Sequence, residues 1–512
     1  MHPLTALAIS LLFFFCFSSC QHKEQSVEID LQELTISQIH QAYQNGDYNS
    51  QQLVQAYFDA IEAHNEPINA ITVIDPEALA TAKTLDAEYE QTGVLRPLHG
   101  IPILVKDNIN TVGLPTTAGS RALQDYYPEE DAFVIQQLKE AGAIILAKTN
   151  MAEWAFSPMH SESTTAGTTR NPYNLGHVPA GSSGGTGAAI AANLGLGGLG
   201  TDTGNSIRGP SSHNALVGFR TTLGLISREG IVPLYLRNDV VGPMCRTVED
   251  ATRVMQAMVG VDPKDPLTAY SAGKALEDYT AYLQADGLKG ARIAVLRELS
   301  EDDVDPDIKA LFEQAINDLD TLGAEILDPI VIPDFAERRK DQWCAMFRKD
   351  LEDFLATYVK NDTLKTLEDI IRIGTSSAYT RNRLQRNAEA TGRWGDVDVE
   401  CDNAYEDLKR MAFRTAIESV MDSLQVDAII YPSWNNLPAR IDHFQEEYKG
   451  DNNQIISPHT GQPAFTVPMG YSRDNLPAGL QFLGRMYDEP TLIKLAFAYE
   501  QGTRHRQPPI RE

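Results

Sequence analysis

Two glycine-rich segments of this 512-residue chain each hold a serine, in loops of the kind that can bring backbone amides together. Gly181-Ser182-Ser183-Gly184-Gly185 opens an apolar stretch that includes Ala188, Ala189, Ile190, Ala191 and Ala192. A glycine-rich turn at the start of a helix points N–H groups and the helix dipole at one spot, which suits an anion. The loop lacks the lysine that ends a P-loop, so taken alone it reads as a structural turn. Gly200-Thr201-Asp202-Thr203-Gly204-Asn205-Ser206-Ile207-Arg208 follows a second apolar stretch. Such a loop presents a hydroxyl while the amides before it gather around a developing oxyanion; one such donor is worth about 10²–10³ in rate. Asp202 and Arg208 are the residue types to brace the loop by pairing their charges, a structural role. In Gly100-Ile101-Pro102-Ile103-Leu104-Val105-Lys106, a lysine follows five mostly apolar residues. Burial disfavours the ammonium form and lowers its pKa, which makes a lysine a general base. Alone, Lys106 reads as a strand-end lysine reaching solvent.

These side chains need elements to position them. Ile101 to Val105 reads as a short strand with Lys106 at its end, Asp131 to Ala141 as a helix stopped by Gly142, and Ile144 to Ala147 as the next strand. Strand–helix–strand alternation with short links predicts α/β layering around a largely parallel sheet. Ser50 is a plausible N-cap for a helix carrying Leu53, Val54, Tyr57, Phe58 and Ile61 at helical spacing. Another helix is expected near Pro76 to Tyr89. The stretch 163–245 is rich in Gly, Ser, Thr and Asn, yet its apolar helix is suited only to burial, so the stretch is a packed core and not a linker. Arg292 to Leu296 and Asp427 to Tyr431 are candidate strands, and Phe335 to Asp407 is a helical, charged segment expected to form a cap or substrate wall.

Composition bounds the function. Hydrophobic residues are 42% of the chain, as in globular proteins, and the net charge is −27. That charge argues against nucleic-acid binding and against adsorption to an anionic membrane surface. Leu4 to Phe17 has the length of a signal-peptide apolar core, and Ser18-Ser19-Cys20 follows, the pattern of a bacterial lipoprotein signal. An exported protein anchored to the membrane by a lipid on Cys20 is therefore expected, with plain secretion to the periplasm or beyond as the alternative. Removal of the signal leaves Cys245, Cys344 and Cys401, widely spaced and odd in number, which points away from a disulfide framework. No CxxC or His-rich spacing suggests a metal site.

Jointly the three chemical segments resemble the amidase signature family. The likeness runs through Pro179 to Ala189, Gly200 to Arg208, Val217 to Ser227, Asp239 to Met244 and Arg246 to Asp250, and Ser206 follows Ser182 by 24 residues (206 − 182). Leu98 to Pro102, Ala147 to Trp154 and Gly461 to Met469 fit as well. The overall layout is most similar to exported bacterial peptide amidases. The resemblance implies an amidase signature fold, a large mixed, mostly parallel sheet covered by helices on both faces. It implies a single domain over 29–512 after a signal (1–20) and a polar tether (21–28), with the signature core near 98–250 and a variable substrate wall near 265–440. It also implies a catalytic triad. Ser206 is the nucleophile, Ser182 the bridging serine after a cis peptide bond, and Lys106 the base. Backbone amides of Thr203, Gly204, Asn205 and Ser206 form the oxyanion hole, and Ser183 adds a hydrogen bond. Lys148 is then structural. No metal or cofactor is implied, and the expected substrate is a small amide or a peptide amide.

One position departs from the family pattern. Gly204-Asn205-Ser206 stands where Gly-Gly-Ser is common. Asn tolerates positive φ, so the loop is expected to keep its shape while the extra side chain narrows the pocket or adds a donor. His160, His177 and His213 could serve a Ser–His–Asp scheme, but no Gly-x-Ser-x-Gly elbow precedes an acid and a histidine in α/β-hydrolase order. Other readings of the same motifs are the glutaminase subunit of a tRNA-dependent amidotransferase, an esterase, and a non-catalytic lipoprotein that binds amides or peptides.

Overall fold

The structure is a computed structural model that describes residues 28–390 and 401–510. The signal segment with Cys20, and all of the tether except Glu28, lie outside the described residues. The strands in chain order are β1 (Ile71–Ile74), β2 (Pro102–Lys106), β3 (Ile144–Thr149), β4 (Glu162–Ser163), β5 (Gly167–Thr168), β6 (Gly197–Asp202), β7 (Val217–Arg220), β8 (Val240–Cys245), β9 (Arg292–Val295), β10 (Glu325–Leu327), β11 (Ala428–Pro432), β12 (Ala464–Tyr471) and β13 (Pro477–Leu483). β4 and β5 form a small hairpin. The other eleven make one mixed sheet in the order β1-β3-β2-β6-β8-β7-β12-β13-β11-β9-β10.

The parallel pairings form two blocks, β3-β2-β6 and β11-β9-β10. Antiparallel strands β8, β7, β12 and β13 join them. β12 and β13, the last strands made, thus stand mid-sheet, between β7 and β11. β2 and β3 are buried along their whole length, the reason they read as continuous apolar runs and not as alternating ones. The helix Gly184–Ala191 is buried at every residue, as its composition requires. Its seat depends on glycine: a Cβ on Gly185 would lie 2.1 Å from the carbonyl oxygen of Asn150.

Most expected elements fall within a few residues of their predicted bounds. The cap of the helix Ser50–Ile68 is an exception. Asn49, not Ser50, is the N-cap, because its side chain accepts from the amide of Gln52 in a reciprocal capping box. Ser50 is instead the first helical residue. Among the described residues no helix is long and apolar enough to cross a membrane.

The charged segment after Phe335 folds as short helices, among them Phe347–Phe354, Leu367–Ile373 and Ala378–Glu389. Phe347, Leu351, Leu367 and Leu384 pack with Trp154 and Phe156 in a separate apolar cluster, so this cap leans on the chain that follows β3. The cap also corrects the reading of the cysteines. Cys344 and Cys401 form a disulfide, their Cα atoms 6.2 Å apart across a separation of 57 residues. The odd cysteine is Cys245, buried in β8 and free. An odd count leaves one thiol over; it does not prevent the other two from meeting when the intervening helices fold back.

Candidate active site

Lys106 is the last residue of β2 and is fully buried. β2 runs parallel to β6, with Val105 opposite Leu199, so the carboxyl ends of both strands arrive together. This brings Thr201 beside Lys106. Lys106 Nζ lies 2.7 Å from Ser182 Oγ, 2.8 Å from Thr201 Oγ1 and 3.4 Å from Thr201 O. Burial brings the Lys106 ammonium down to about 7, against the opposing pull of Asp202 and Asp239. Ser182 follows a cis peptide bond from Gly181, as the resemblance implies. A Cβ on Gly181 would lie 2.4 Å from His160 O and 2.5 Å from Ser157 O, so only glycine fits this turn. Ser183 Oγ donates to Thr201 O at 3.3 Å, which ties the two glycine-rich segments together.

Ser206 sits in the loop between β6 and the helix Arg208–His213. The loop is braced from below by charge. Asp202 is fully buried, and Arg208 Nε reaches Asp202 Oδ2 at 3.1 Å. Arg208 Nη2 also donates to Gly204 O at 2.7 Å, and the Ile207 amide donates to Asp202 Oδ2 at 3.1 Å. A second guanidinium, Arg220 of β7, reaches Asp202 Oδ1 at 2.9 Å. Burial alone would raise the Asp202 carboxyl; Arg208 and Arg220 together hold it at about 2. The pairing of Asp202 with Arg208 is as expected; the part of Arg220 was not.

The amides of Gly204, Asn205 and Ser206 form no hydrogen bond with another described residue, which leaves them open to an oxyanion. Thr203 is fixed by its hydroxyl, which donates to Asp239 Oδ1 at 2.5 Å. Asn205 does not take a positive φ, so the tolerance expected of it is not called on. Its side chain acts instead. Asn205 Nδ2 donates to Pro158 O at 3.3 Å, and its Oδ1 accepts from Ser206 Oγ at 3.3 Å. Among the described residues this is the hydrogen bond of the Ser206 hydroxyl; none links it to Ser182 Oγ. Thr203, Gly204, Asn205 and Ser206 line a cavity of about 640 Å³ whose far walls include Trp343 and Phe347 of the cap.

The rival candidates are placed elsewhere. Lys148 Nζ donates to Ile109 O at 2.6 Å and to Thr116 Oγ1 at 3.1 Å, holding the loop after β2. His160 pairs with Ser157 and stacks on Phe444. His213 is pushed down to about 3 by burial and packs against Trp434. None of His160, His177 and His213 hydrogen-bonds Ser206. Sequence reasoning missed Thr201, Arg220 and Asp239 as parts of the site. All three lie in or beside the motifs already quoted, and strand pairing alone reveals their contacts.

A family model described as Amidase matches residues 52–493. An Arabidopsis thaliana protein named "Probable amidase" is 33% identical over 98% of this chain and 96% of its own length. A glutamyl-tRNA(Gln) amidotransferase component from Thermoanaerobacter pseudethanolicus is 33% identical over 94% of this chain and 99% of its own. The crystal structure of the peptide amidase of Stenotrophomonas maltophilia superposes with a TM-score of 0.82 at 35% identity, covering 93% of this chain and 98% of the other.

Proposed function

Because the chain belongs to the amidase signature family and is an amide C–N hydrolase, we propose that it cleaves carboxamides through a Ser206 acyl-enzyme, with Ser182 and Lys106 as the proton relay. The observation that carries this is the 2.7 Å contact between Lys106 Nζ and Ser182 Oγ in a fully buried setting. A neutral amine has two N–H bonds and one lone pair. Thr201 O can only accept, so it takes one N–H, and Thr201 Oγ1 takes the other. The lone pair then faces the Ser182 hydroxyl.

The Ser206 hydroxyl turns from Asn205 Oδ1 toward Ser182, and its oxygen attacks the carboxamide carbon. Its proton goes to Ser182 Oγ as the Ser182 proton goes to Lys106 Nζ. The tetrahedral oxyanion is held by the amides of the 203–206 loop. The relay then returns a proton to the leaving nitrogen, the C–N bond breaks, and ammonia or an amine departs. Water repeats the sequence on the acyl-enzyme and regenerates Ser206. This is a Ser–Lys counterpart of the histidine triad.

The substrate reading is a peptide amide or another small amide, supported by the likeness to a peptide amidase and by aromatic cavity walls at Phe156, Trp343 and Tyr379. The test is hydrolysis of peptide, fatty and aryl amides by purified protein, with Ser206→Ala as control and circular dichroism to establish folding. Full activity in folded Ser206→Ala would overturn the mechanism. A second reading, the glutaminase component of a tRNA-dependent amidotransferase, is favoured by the relatives of that name. Co-purification with partner proteins and glutamine-dependent ammonia release would establish it.

For location the reading is export with a lipid on Cys20. The apolar segment Leu4 to Phe17 supports it, as does the Cys344–Cys401 disulfide, since such bonds persist in oxidising compartments. Metabolic labelling with palmitate in cells carrying the native chain or Cys20→Ser tests it; equal labelling would refute the anchor.

A further inference from the structure

The cavity in front of Ser206 has a charge pattern opposite to that of the chain around it. The protein carries 70 acidic residues against 43 Lys and Arg, yet the cavity lining holds two arginines, Arg383 and Arg386, and one carboxylate, Glu389. We propose that these arginines recognise an anionic group on the substrate, so that the preferred amides are peptide amides bearing a carboxylate, such as an Asp or Glu side chain. This rests on the amide-hydrolysis reading above and names the substrate class of that same site.

The placement is periodic. Tyr379, Arg383, Arg386 and Asn387 all line the cavity, at spacings of four, three and one along the helix Ala378–Glu389. Those offsets put them on a single helix face. Two other arginines of the cap are neutralised, Arg348 by Glu368 at 2.6 Å and Arg372 by Asp369 at 2.5 Å, while Arg381 of the same helix donates to the carbonyl of Thr375. Among the described residues, Arg383 and Arg386 form no ion pair. Arg383 is half-buried, its Nε is enclosed without a hydrogen-bond partner, and its guanidinium lies 5.7 Å from the centre of the Phe156 ring. A partly desolvated guanidinium without an ion-pair partner among the described residues is costly, and a bound carboxylate offsets that cost by accepting two parallel N–H bonds. Phe156 and Tyr379 complete the wall with apolar surface, as in a site that grips a peptide backbone and reads one charge.

The test compares three peptide amides identical except for one residue upstream of the carboxamide: Glu, its neutral isostere Gln, and Lys. With the native protein at low salt, kcat/KM for the Glu amide is expected to exceed that for Gln by about tenfold, mostly through KM. The gap contracts in about 0.5 M NaCl, because exposed charges are screened. In Arg383→Gln and Arg386→Gln the Glu-to-Gln ratio falls toward one, and in Arg383→Lys it is partly kept. Equal turnover of all three amides, a preference for Lys, or an unchanged ratio in folded variants overturns the proposal. If no amide is hydrolysed, the hydrolase reading fails by itself. Calorimetric binding of the same peptide amides to Ser206→Ala then decides the charge preference independently.

Discussion

The hydroxyl of Ser206 donates to the side-chain oxygen of its immediate neighbour, Asn205, at 3.3 Å. That partner competes with Ser182 for the proton that catalysis must move. A neutral hydrogen bond of this kind is worth about 1 kcal/mol net, so Asn205→Gly is expected to raise kcat/KM about fivefold. The added backbone freedom costs stability, read as a lower Tm. Steady-state kinetics with a small amide substrate checks this. A loss of activity in the folded variant would mean that Asn205 orients Ser206 for attack.

Activity should depend on a neutral Lys106. Burial brings its ammonium down to about 7, so kcat/KM is expected to rise through an inflection near pH 7 and to fall tenfold per unit well below it. Asp451, raised to about 7 by burial, titrates in the same range. The profile is therefore repeated in Asp451→Asn, where the inflection should persist. A profile that peaks below pH 5 would remove Lys106 from the role of base.

Asp202 neutralises two buried guanidiniums at once. Asp202→Asn leaves Arg208 and Arg220 without their carboxylate, which should destabilise the fold by about 3–5 kcal/mol. The folded carboxyl lies at about 2, below its ordinary value. Its stabilisation is thus complete above about pH 4 and is lost as pH falls toward 2. Chemical denaturation of both proteins between pH 2 and 7 measures this: the native chain should lose part of its advantage over Asp202→Asn in that window.

The Cys344–Cys401 disulfide closes a loop that contains most of the cap, and Cys344 itself lines the cavity. A crosslink over such a loop is worth about 4 kcal/mol in the chain-entropy treatment. Cys344→Ser or dithiothreitol should lower the Tm of the cap and raise KM more than it lowers kcat, because Lys106, Ser182 and Ser206 lie outside the loop. A change in kcat alone would contradict this.

Lys106, Ser182 and Ser206 stood out in the sequence only together, through the family resemblance, since each alone read as a structural residue. Gly181 and Gly185 serve a close approach of neighbouring backbone, and the apolar runs that lead to Lys106 and Asp202 are the buried strands β2 and β6. Arg220 was not legible. It looks like any strand arginine until β7 joins β8 and brings it onto Asp202, 18 residues earlier. The partnership of Cys344 with Cys401 was hidden for the same reason, since it depends on the helices between them packing onto Trp154 and Phe156. The face shared by Arg383 and Arg386 lies in a stretch whose pattern announced helices and charge, but not which side would meet a cavity.

The position of β12 and β13 in the middle of the sheet sets a timetable. Until residues 464–483 have been synthesised, the strands on either side of them, β7 and β11, have unpaired edges. A growing chain therefore holds two open half-sheets with high contact order, slow to close and prone to pair with a neighbour. The hydrolase cannot be assembled piecemeal from its N-terminus. The Ser182 and Ser206 loops precede residue 207, but the sheet beneath them closes only once β12 and β13 are present.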